Sequence, residues 1–375
     1  MIVLISSDIR PRYSDDIIRI LALPRGAQLQ LRYGAPLLAG DIQGCVPREQ
    51  LAGEAALVCF VADASAPMPF ALVPVRFVTI IRAEKVGTSY IFTVAADAFV
   101  TGLTDVDIRA SACPTDQQRL PAPPGTSPTA GEIFAFSGTQ AWQGHKSLSL
   151  DTFEATADRL AVHTTFNTAR SAFFTVVRIS EVRARSWFGT WPQPLKVDQG
   201  AFDLKAGKRY ECEVYCLRLY EPAKAVQIKP SAGFVFTTIV STSPKPSLGA
   251  EANDNWVQFG SAKRSIIDSR YDVKRFLFEA EPNVIRRVSG IRLFLTEGLA
   301  ESSTDYQQDI TLPLIFRGSI FWAVVRASLI GIATAGPSMI AINAAGKLNA
   351  GAVAAVIALG ALAGAAAIFP SIRKP

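Results

Sequence analysis

Two long apolar stretches near the C-terminus constrain this 375-residue chain more than any other feature. Residues 319–341 are apolar apart from Arg326 and small hydroxyl side chains, and residues 350–369 carry no charge. Each stretch has about the 20 residues that a helix needs to cross a bilayer. The segment between them, rich in Gly and Asn, is typical of a tight turn. The pattern predicts a two-helix transmembrane hairpin over residues 318–370 and a basic tail over 371–375.

Small residues in the hairpin indicate how its helices would associate. The second stretch is mostly Ala and Gly, so insertion gains only a few kcal/mol and the helix should depend on a partner. Small residues at four-residue spacing would let two backbones approach closely. They are Gly331 and Ala335 in the first stretch and Gly360 and Gly364 in the second. Packing within the hairpin is the favoured interpretation, and lining of an oligomeric pore is the alternative.

Charges around the hairpin predict its orientation. Arg317, Arg373 and Lys374 lie on one side, against Lys347 alone at the tip, so both termini should be cytoplasmic. The expected location is the inner (cytoplasmic) membrane, with a multi-pass topology. Arg326 has two interpretations: a functional charge inside the membrane, or an interfacial residue just before the helix begins.

The distribution of charge favours a membrane partner over nucleic acid. The net charge is +6, yet residues 319–375 hold four bases and no acid. A nucleic-acid-binding protein should concentrate its positive charge on the folded part instead. The lipid bilayer is therefore the predicted partner, together with further copies of the chain or a protein of a membrane complex. Five scattered cysteines and the lack of a signal-peptide pattern favour a reduced, cytoplasmic main region.

The region before the hairpin has mainly β character. Segments rich in Val, Ile, Phe and Thr, or alternating apolar with polar residues, predict strands. These strands are expected at 27–33, 55–62, 70–81, 90–94, 133–137, 173–182, 210–220, 233–240, 275–278 and 291–295. The predicted fold class is thus β-sandwich or small-barrel domains. A β-rich N-terminal domain should span 1–112, a Pro-rich linker 113–131, and a sandwich-like domain 132–317, for which two subdomains split near 241–255 are the alternative.

Catalytic and metal-binding motifs are absent from the sequence. It contains no nucleotide-binding Gly-rich loop, zinc-protease motif or nucleophile elbow. His145 and His163 are the only histidines, so a hydrolase built on either is the minor alternative. Cys212 and Cys216 would share one face of a strand but lack two further zinc ligands. We predict no enzyme activity, no cofactor and no metal.

Two basic patches are the candidate ligand sites. The first consists of Arg10, Arg12 and Arg32, whose guanidinium groups are suited to a phosphate or another small anion. The second combines Arg183 and Arg185 with Trp187 and Trp191, whose rings could stack on a base or lie at lipid headgroups. For both patches the simpler interpretation is a solvated, ion-paired surface.

These features together predict a non-catalytic, membrane-anchored sensor. Its cytosolic β domains would recognise a ligand or partner, and its hairpin would act on the membrane or anchor the chain to it. The architecture is analogous to bacterial defence or stress effectors that join a sensor to membrane helices. A scaffold subunit of a membrane complex is the alternative.

Overall fold

The computed structural model describes a chain that is mostly β-strand. The described residues are 1–7, 11–46, 50–61, 72–121, 131–162, 172–182, 194–195, 197–198, 200–219, 246–254, 257–260, 264–281, 286–297 and 306–318. Within these ranges the strands form three sheets, accompanied by short helices. The prediction of a mainly β chain is confirmed.

The first sheet comes from the N-terminal part of the chain. Its strands are β1 (Ile2–Ser7), β2 (Gln28–Gly34), β3 (Ala55–Val61), β4 (Val73–Val86), β5 (Ser89–Val100), β6 (Ala135–Ser137) and β7 (Lys146–Ser147). They lie in the order β2-β5-β4-β3-β1-β6, with β7 beside β5. β1 and β3 run parallel, and the other pairs are antiparallel. β1 is buried along its whole length, as expected for an apolar strand covered on both faces.

Short helices accompany this sheet. They are α1 (Pro11–Ala22), α2 (Gly40–Cys45), α3 (Asp105–Ser111), α4 (Pro114–Gln117) and α5 (Leu150–Ala161). α5 begins after Ser149, whose hydroxyl accepts a hydrogen bond from the Thr152 amide. It buries Phe153, Ala157 and Leu160, which the 3.6-residue period places on one face.

Helix α1 lies at the centre of the molecule. It contacts β1, β2, β3 and β4 on one side and elements of the C-terminal sheets on the other. Its residues Ile17, Ile18, Ile20 and Leu21 are all buried. The sequence of α1 is amphipathic, and its wide apolar face is stable only because strands cover it.

The C-terminal part of the chain forms two further sheets. Their strands are β8 (Ala172–Glu181), β9 (Val197–Asp198), β10 (Ala201–Lys205), β11 (Arg209–Arg218), β12 (Pro246–Ala252), β13 (Val257–Phe259), β14 (Arg264–Ile266), β15 (Tyr271–Ala280), β16 (Arg287–Glu297) and β17 (Tyr306–Arg317). One sheet has the order β14-β12-β16-β17-β10-β9, and the other has the order β13-β15-β11-β8. The two sheets meet where β8 contacts β16 and β17.

A buried amide joins these sheets to α1. The Gln308 side chain on β17 donates to the carbonyl oxygens of Ile18 on α1 and Phe174 on β8, each at 3.1 Å. Its own oxygen accepts from the Phe174 amide at 2.8 Å. A fully bonded buried amide fixes the relative position of the elements that it joins. The helix is therefore held by all three sheets.

The strand predictions agree with the structure where it can be compared. Each predicted strand within the described ranges overlaps an observed one, and the predicted strand 233–240 lies outside them. Eight observed strands were not predicted: β1, β7, β9, β10, β12, β13, β14 and β17. Strands β6 and β7 follow the predicted linker 113–131 in sequence, yet they pair with β1 and β5 of the first sheet.

The predicted fold class is wrong in its last element. The structure is mostly β with few helices, and within the described ranges no helix is long and apolar enough to span a bilayer. The two-helix hairpin over 318–370 is therefore not seen; beyond residue 318 it falls outside the described residues, as does the tail 371–375. A long apolar run is necessary for a membrane helix but not sufficient, and the Ala- and Gly-rich composition provides only a marginal insertion energy.

Candidate functional site

A cavity of about 200 Å³ lies beside the N-terminal half of α1. We call it the α1 cavity. Its apolar wall consists of Ile5 on β1, Leu31 on β2, Leu37 in the 3₁₀ helix Ala35–Leu37 that follows β2, and Phe134 in the loop before β6. Three strands separate β2 from β1 in the sheet order, so the sheet must curl around α1 to bring both strands to one cavity. Such curling follows from the right-handed twist of strands.

The polar wall of the α1 cavity consists of buried groups and one exposed arginine. Ser6 and Ser7 at the end of β1, Asp16 on α1 and Tyr33 on β2 are buried. Arg32 is exposed. Mostly apolar walls with a few convergent polar groups are typical of small-molecule sites.

Tyr33 is the most informative residue of the cavity. Its side chain is 5% exposed, and its hydroxyl makes no hydrogen bond of regular geometry. Burial raises the pKa of Tyr33 well above its usual value, the nearby Asp16 raises it further, and the Ser6 hydroxyl acts in the opposite direction. The ring packs edge-on against Phe92, with the ring centroids 5.8 Å apart. Tyr33 is thus a fixed, protonated phenol that can donate a hydrogen bond.

Asp16 places a carboxyl group in the same buried wall. It is 6% exposed, and one of its oxygens lies 3.9 Å from Nη1 of Arg19, which is partly exposed. At that distance the ion pair is weak. A carboxylate accepts hydrogen bonds at both oxygens, so Asp16 adds acceptor atoms to the lining of the cavity.

Arg32 is the member of the first predicted patch that the structure places at the cavity. Its Nη2 donates to the Ser89 hydroxyl at 3.0 Å, and no carboxylate of the described residues forms an ion pair with it. Arg10 lies outside the described residues, and so does the side chain of Arg12, which belongs to the first turn of α1. The predicted three-arginine anion site is therefore represented by Arg32 alone.

The other predicted site residues lie outside the described part of the chain. The second patch, Arg183, Arg185, Trp187 and Trp191, falls in a range that is not described. The same holds for the hairpin residues Arg326, Gly331, Ala335, Gly360 and Gly364. These assignments stay predictions.

His145 does not form a catalytic arrangement with the groups described around it. Its Nδ1 lies 2.8 Å from the Thr101 carbonyl oxygen, which orients the ring through the backbone. The nearby Asp107 carboxylate accepts from the amide and hydroxyl of Thr104. His163 lies outside the described residues.

The cysteine pair on β11 is buried. Cys212 and Cys216 are both inaccessible, and burial, helped by neighbouring Glu211 and Glu213, raises the pKa of Cys212 to about 12. A thiol with so high a pKa is a poor nucleophile and metal ligand at neutral pH. Among the described residues no group of three or more His, Cys, Asp or Glu side chains is suited to hold a metal ion.

Sequence reasoning missed most of the α1 cavity. It did not single out Tyr33, Asp16, Ser6 or Ser7. One signal was present: the alternation of residues 27–33 places Tyr33 on the same face as Leu31, which indicates a buried tyrosine. Nothing in that local pattern indicates that β1 and α1 lie opposite this face.

Comparison with known proteins gives no family for the chain. No protein-family model matches it, and no curated protein sequence matches it. Among solved structures, it is similar to WR4, a C. elegans MSP family member, at 8% identity and a TM-score of 0.19, over 31% of this chain and 92% of that chain. It is also similar to a Bacteroides ovatus GH5 xyloglucanase in complex with a heptasaccharide, at 12% identity and a TM-score of 0.17, over 33% of this chain and 19% of that chain. Likenesses this low carry no argument about fold or function.

Proposed function

We propose that this protein is a non-catalytic binding protein that recognises a small ligand in the α1 cavity. The proposal depends on one observation above all: the buried Tyr33 hydroxyl has no regular hydrogen-bond partner. Such a group costs about 1 to 3 kcal/mol of stability. Phenylalanine would fill the same space without that cost, so a ligand that accepts the hydrogen bond explains why tyrosine stands here.

The size of the α1 cavity limits the ligand to one ring with substituents. An engineered protein cavity of about 150 Å³ is large enough to bind benzene. The α1 cavity, at about 200 Å³, is slightly larger. Its volume is below the range of roughly 300 to 1,000 Å³ that drug-sized molecules occupy.

The chemistry of the wall supports binding rather than catalysis. Neither of the two histidines nor any cysteine is part of the described wall, so Ser6 and Ser7 have no imidazole base there. Tyr33 is protonated at neutral pH, as an ordinary tyrosine is, and burial raises its pKa further, so it serves as a donor and not as a base.

The position of α1 supports a sensor role. The helix that lines the cavity is also bonded to β17 through Gln308 and packs against β8. A ligand that binds one arrangement of α1 more tightly than another would shift the contacts of these strands. A membrane anchor forms no part of this proposal.

A fragment screen by thermal unfolding tests the proposal. We expect some ring-sized compounds to raise the melting temperature of the wild type by a few degrees, since a ligand at ten times its Kd adds about 1.4 kcal/mol of stability. In Leu37→Trp the indole should fill the cavity and abolish these shifts. Leu148→Trp, at an exposed leucine away from the cavity, should retain them. The proposal fails if no fragment gives a shift that Leu37→Trp removes and Leu148→Trp keeps.

A further inference from the structure

The buried end of the α1 cavity is better suited to an uncharged group than to an anion. Asp16 supplies a carboxyl group to the buried wall, and the cationic side chain of the described wall is the exposed Arg32. An anion placed beside a buried carboxylate would be both desolvated and repelled. The ligand should therefore enter with an uncharged end.

The polar groups at this buried end require a hydrogen-bond acceptor and a donor on the ligand. Tyr33 has a hydroxyl hydrogen to donate, and Asp16 has oxygens that accept. Both groups line the same cavity, whose volume of about 200 Å³ keeps them within the reach of one small ring. The ligand should therefore carry the acceptor and the donor side by side, as the C=O and N–H groups of an amide do.

The rest of the wall selects a flat ring over a sugar. Tyr13 and Phe134 contribute aromatic surface, and Ile5, Leu31 and Leu37 contribute aliphatic surface. A sugar carries hydroxyl groups around its whole ring and would bury several of them against carbon. A planar heterocycle confines its polar groups to its edge, so that its two flat faces can pack against these apolar walls.

From these observations we infer that the α1 cavity binds a planar, uncharged heterocycle of the cyclic-amide or pyrimidine type, with its polar edge toward Tyr33 and Asp16. An acidic substituent on the opposite side of the ring is held by Arg32, whose guanidinium group has donors to spare beyond its bond to Ser89. This inference rests on the proposed function and adds the chemical class of the ligand.

Calorimetric titration with three probes tests the ligand class. The probes are benzene, uracil and uracil-6-carboxylate, which share a ring size and differ in polar edge and charge. We expect uracil to bind at least tenfold more tightly than benzene, and the carboxylate at least tenfold more tightly than uracil. Tyr33→Phe should weaken both pyrimidines about tenfold and leave benzene unchanged. Arg32→Gln should make uracil-6-carboxylate bind no more tightly than uracil, without changing the Kd of uracil. Arg82→Gln, at an arginine away from the cavity, should leave the Kd of every probe unchanged.

Several outcomes would overturn the assignment. The assignment of a polar edge that contacts Tyr33 is wrong if benzene binds as tightly as uracil, or if Tyr33→Phe leaves the Kd of uracil unchanged. The role of Arg32 is wrong if uracil-6-carboxylate binds no more tightly than uracil, or if Arg82→Gln weakens binding of the carboxylate as much as Arg32→Gln does. If none of the probes binds the wild type, the ligand class is wrong. The proposed function is then judged separately, by the fragment screen with Leu37→Trp.

Discussion

The two ends of α1 are both surrounded by buried polar groups, but only one end is fully bonded. At the C-terminal end, the buried Arg76 guanidinium donates to carbonyl oxygens at three positions, Ile20, Leu21 and Leu23. Its Nε donates to the Asp97 carbonyl oxygen at 3.0 Å, and its plane lies over the Phe99 ring. At the N-terminal half, the Tyr33 hydroxyl has no such partner.

This difference separates a structural polar cluster from a functional one. The last turn of a helix leaves carbonyl oxygens without partners, and Arg76 satisfies them inside the core. Burial lowers the pKa of Arg76 while Asp97 opposes the shift, and the guanidinium remains charged at neutral pH. The cluster around Arg76 is complete within the protein, whereas in the one around Tyr33 a hydroxyl is left without a regular partner, which is the place that we propose a ligand fills.

Substitution of Arg76 should lower stability more than substitution of any other polar residue around α1. Arg76→Met leaves several buried carbonyl oxygens unpaired, and at roughly 1 to 3 kcal/mol for each such group the free energy of unfolding should fall by at least about 3 kcal/mol. Arg76→Lys keeps the charge but not the forked donors, so the free energy of unfolding should fall by less than in Arg76→Met but remain below that of the wild type. Urea unfolding followed by circular dichroism measures both.

Arg82→Met is the matched control for Arg76→Met. Arg82 lies on the same strand, β4, but its side chain is exposed, and among the described residues it forms an ion pair with Glu84 alone, at 2.8 Å. Arg82→Met should therefore lower the free energy of unfolding by less than about 0.5 kcal/mol. Similar losses at the two positions would mean that Arg76 does not hold the end of α1.

Two buried tyrosines provide the next test. The Tyr210 hydroxyl accepts from the Lys205 amide at 2.7 Å and lies 3.3 Å from its carbonyl oxygen. Tyr210→Phe should therefore lower the free energy of unfolding by about 1 to 2 kcal/mol. Tyr33→Phe removes a hydroxyl without a regular partner, so it should leave stability unchanged or raise it by up to about 1 kcal/mol. Equal losses in the two variants would give the Tyr33 hydroxyl a structural role and remove the main support for the ligand site.

The contrast between the two ends of α1 was only partly predictable from the sequence. Alternation predicts β2 and the shared face of Leu31 and Tyr33. The order in which β5, β4 and β3 separate β2 from β1 is set by long-range pairing, which local patterns do not contain. The local sequence around Arg76 likewise predicts only a strand residue, and its bonds to the end of α1 follow from the tertiary fold.

The failed part of the fold prediction has a related cause. The hydropathy of residues 318–370 indicates that the segment suits an apolar environment. It does not indicate whether lipid or protein provides that environment. α1 illustrates the point, because its apolar surface is covered by strands from all three sheets rather than by lipid. The charge pattern that suggested an anion site has the same limit: it singled out Arg32, which lines the cavity, but not Asp16, which lines it too.

Acid should weaken the C-terminal end of α1 through Asp97. Burial would raise the pKa of Asp97, but Lys146 and Arg25, each at 2.9 Å, outweigh it and lower the pKa. A carboxyl group with a lowered folded pKa stabilises above its unfolded pKa, and this contribution is lost as the pH falls through the folded value. Between about pH 5 and pH 2 the wild type should lose about 1 kcal/mol more than Asp97→Asn, after allowance for solvent screening of these partly exposed pairs. Parallel pH profiles of the two proteins would show that the ion pairs contribute nothing.

Removal of Arg32 should change stability as little as removal of the exposed Arg82 does. Its side chain is exposed and makes one described hydrogen bond, to Ser89, so Arg32→Gln should change the free energy of unfolding by less than about 0.5 kcal/mol. Chemical denaturation of the ligand-free protein measures this change. A neutral effect on stability, together with loss of the tighter binding of uracil-6-carboxylate, would assign Arg32 to ligand binding alone. A loss as large as that of Tyr210→Phe would instead make the edge of the cavity part of the structural framework and remove the distinction between the two ends of α1.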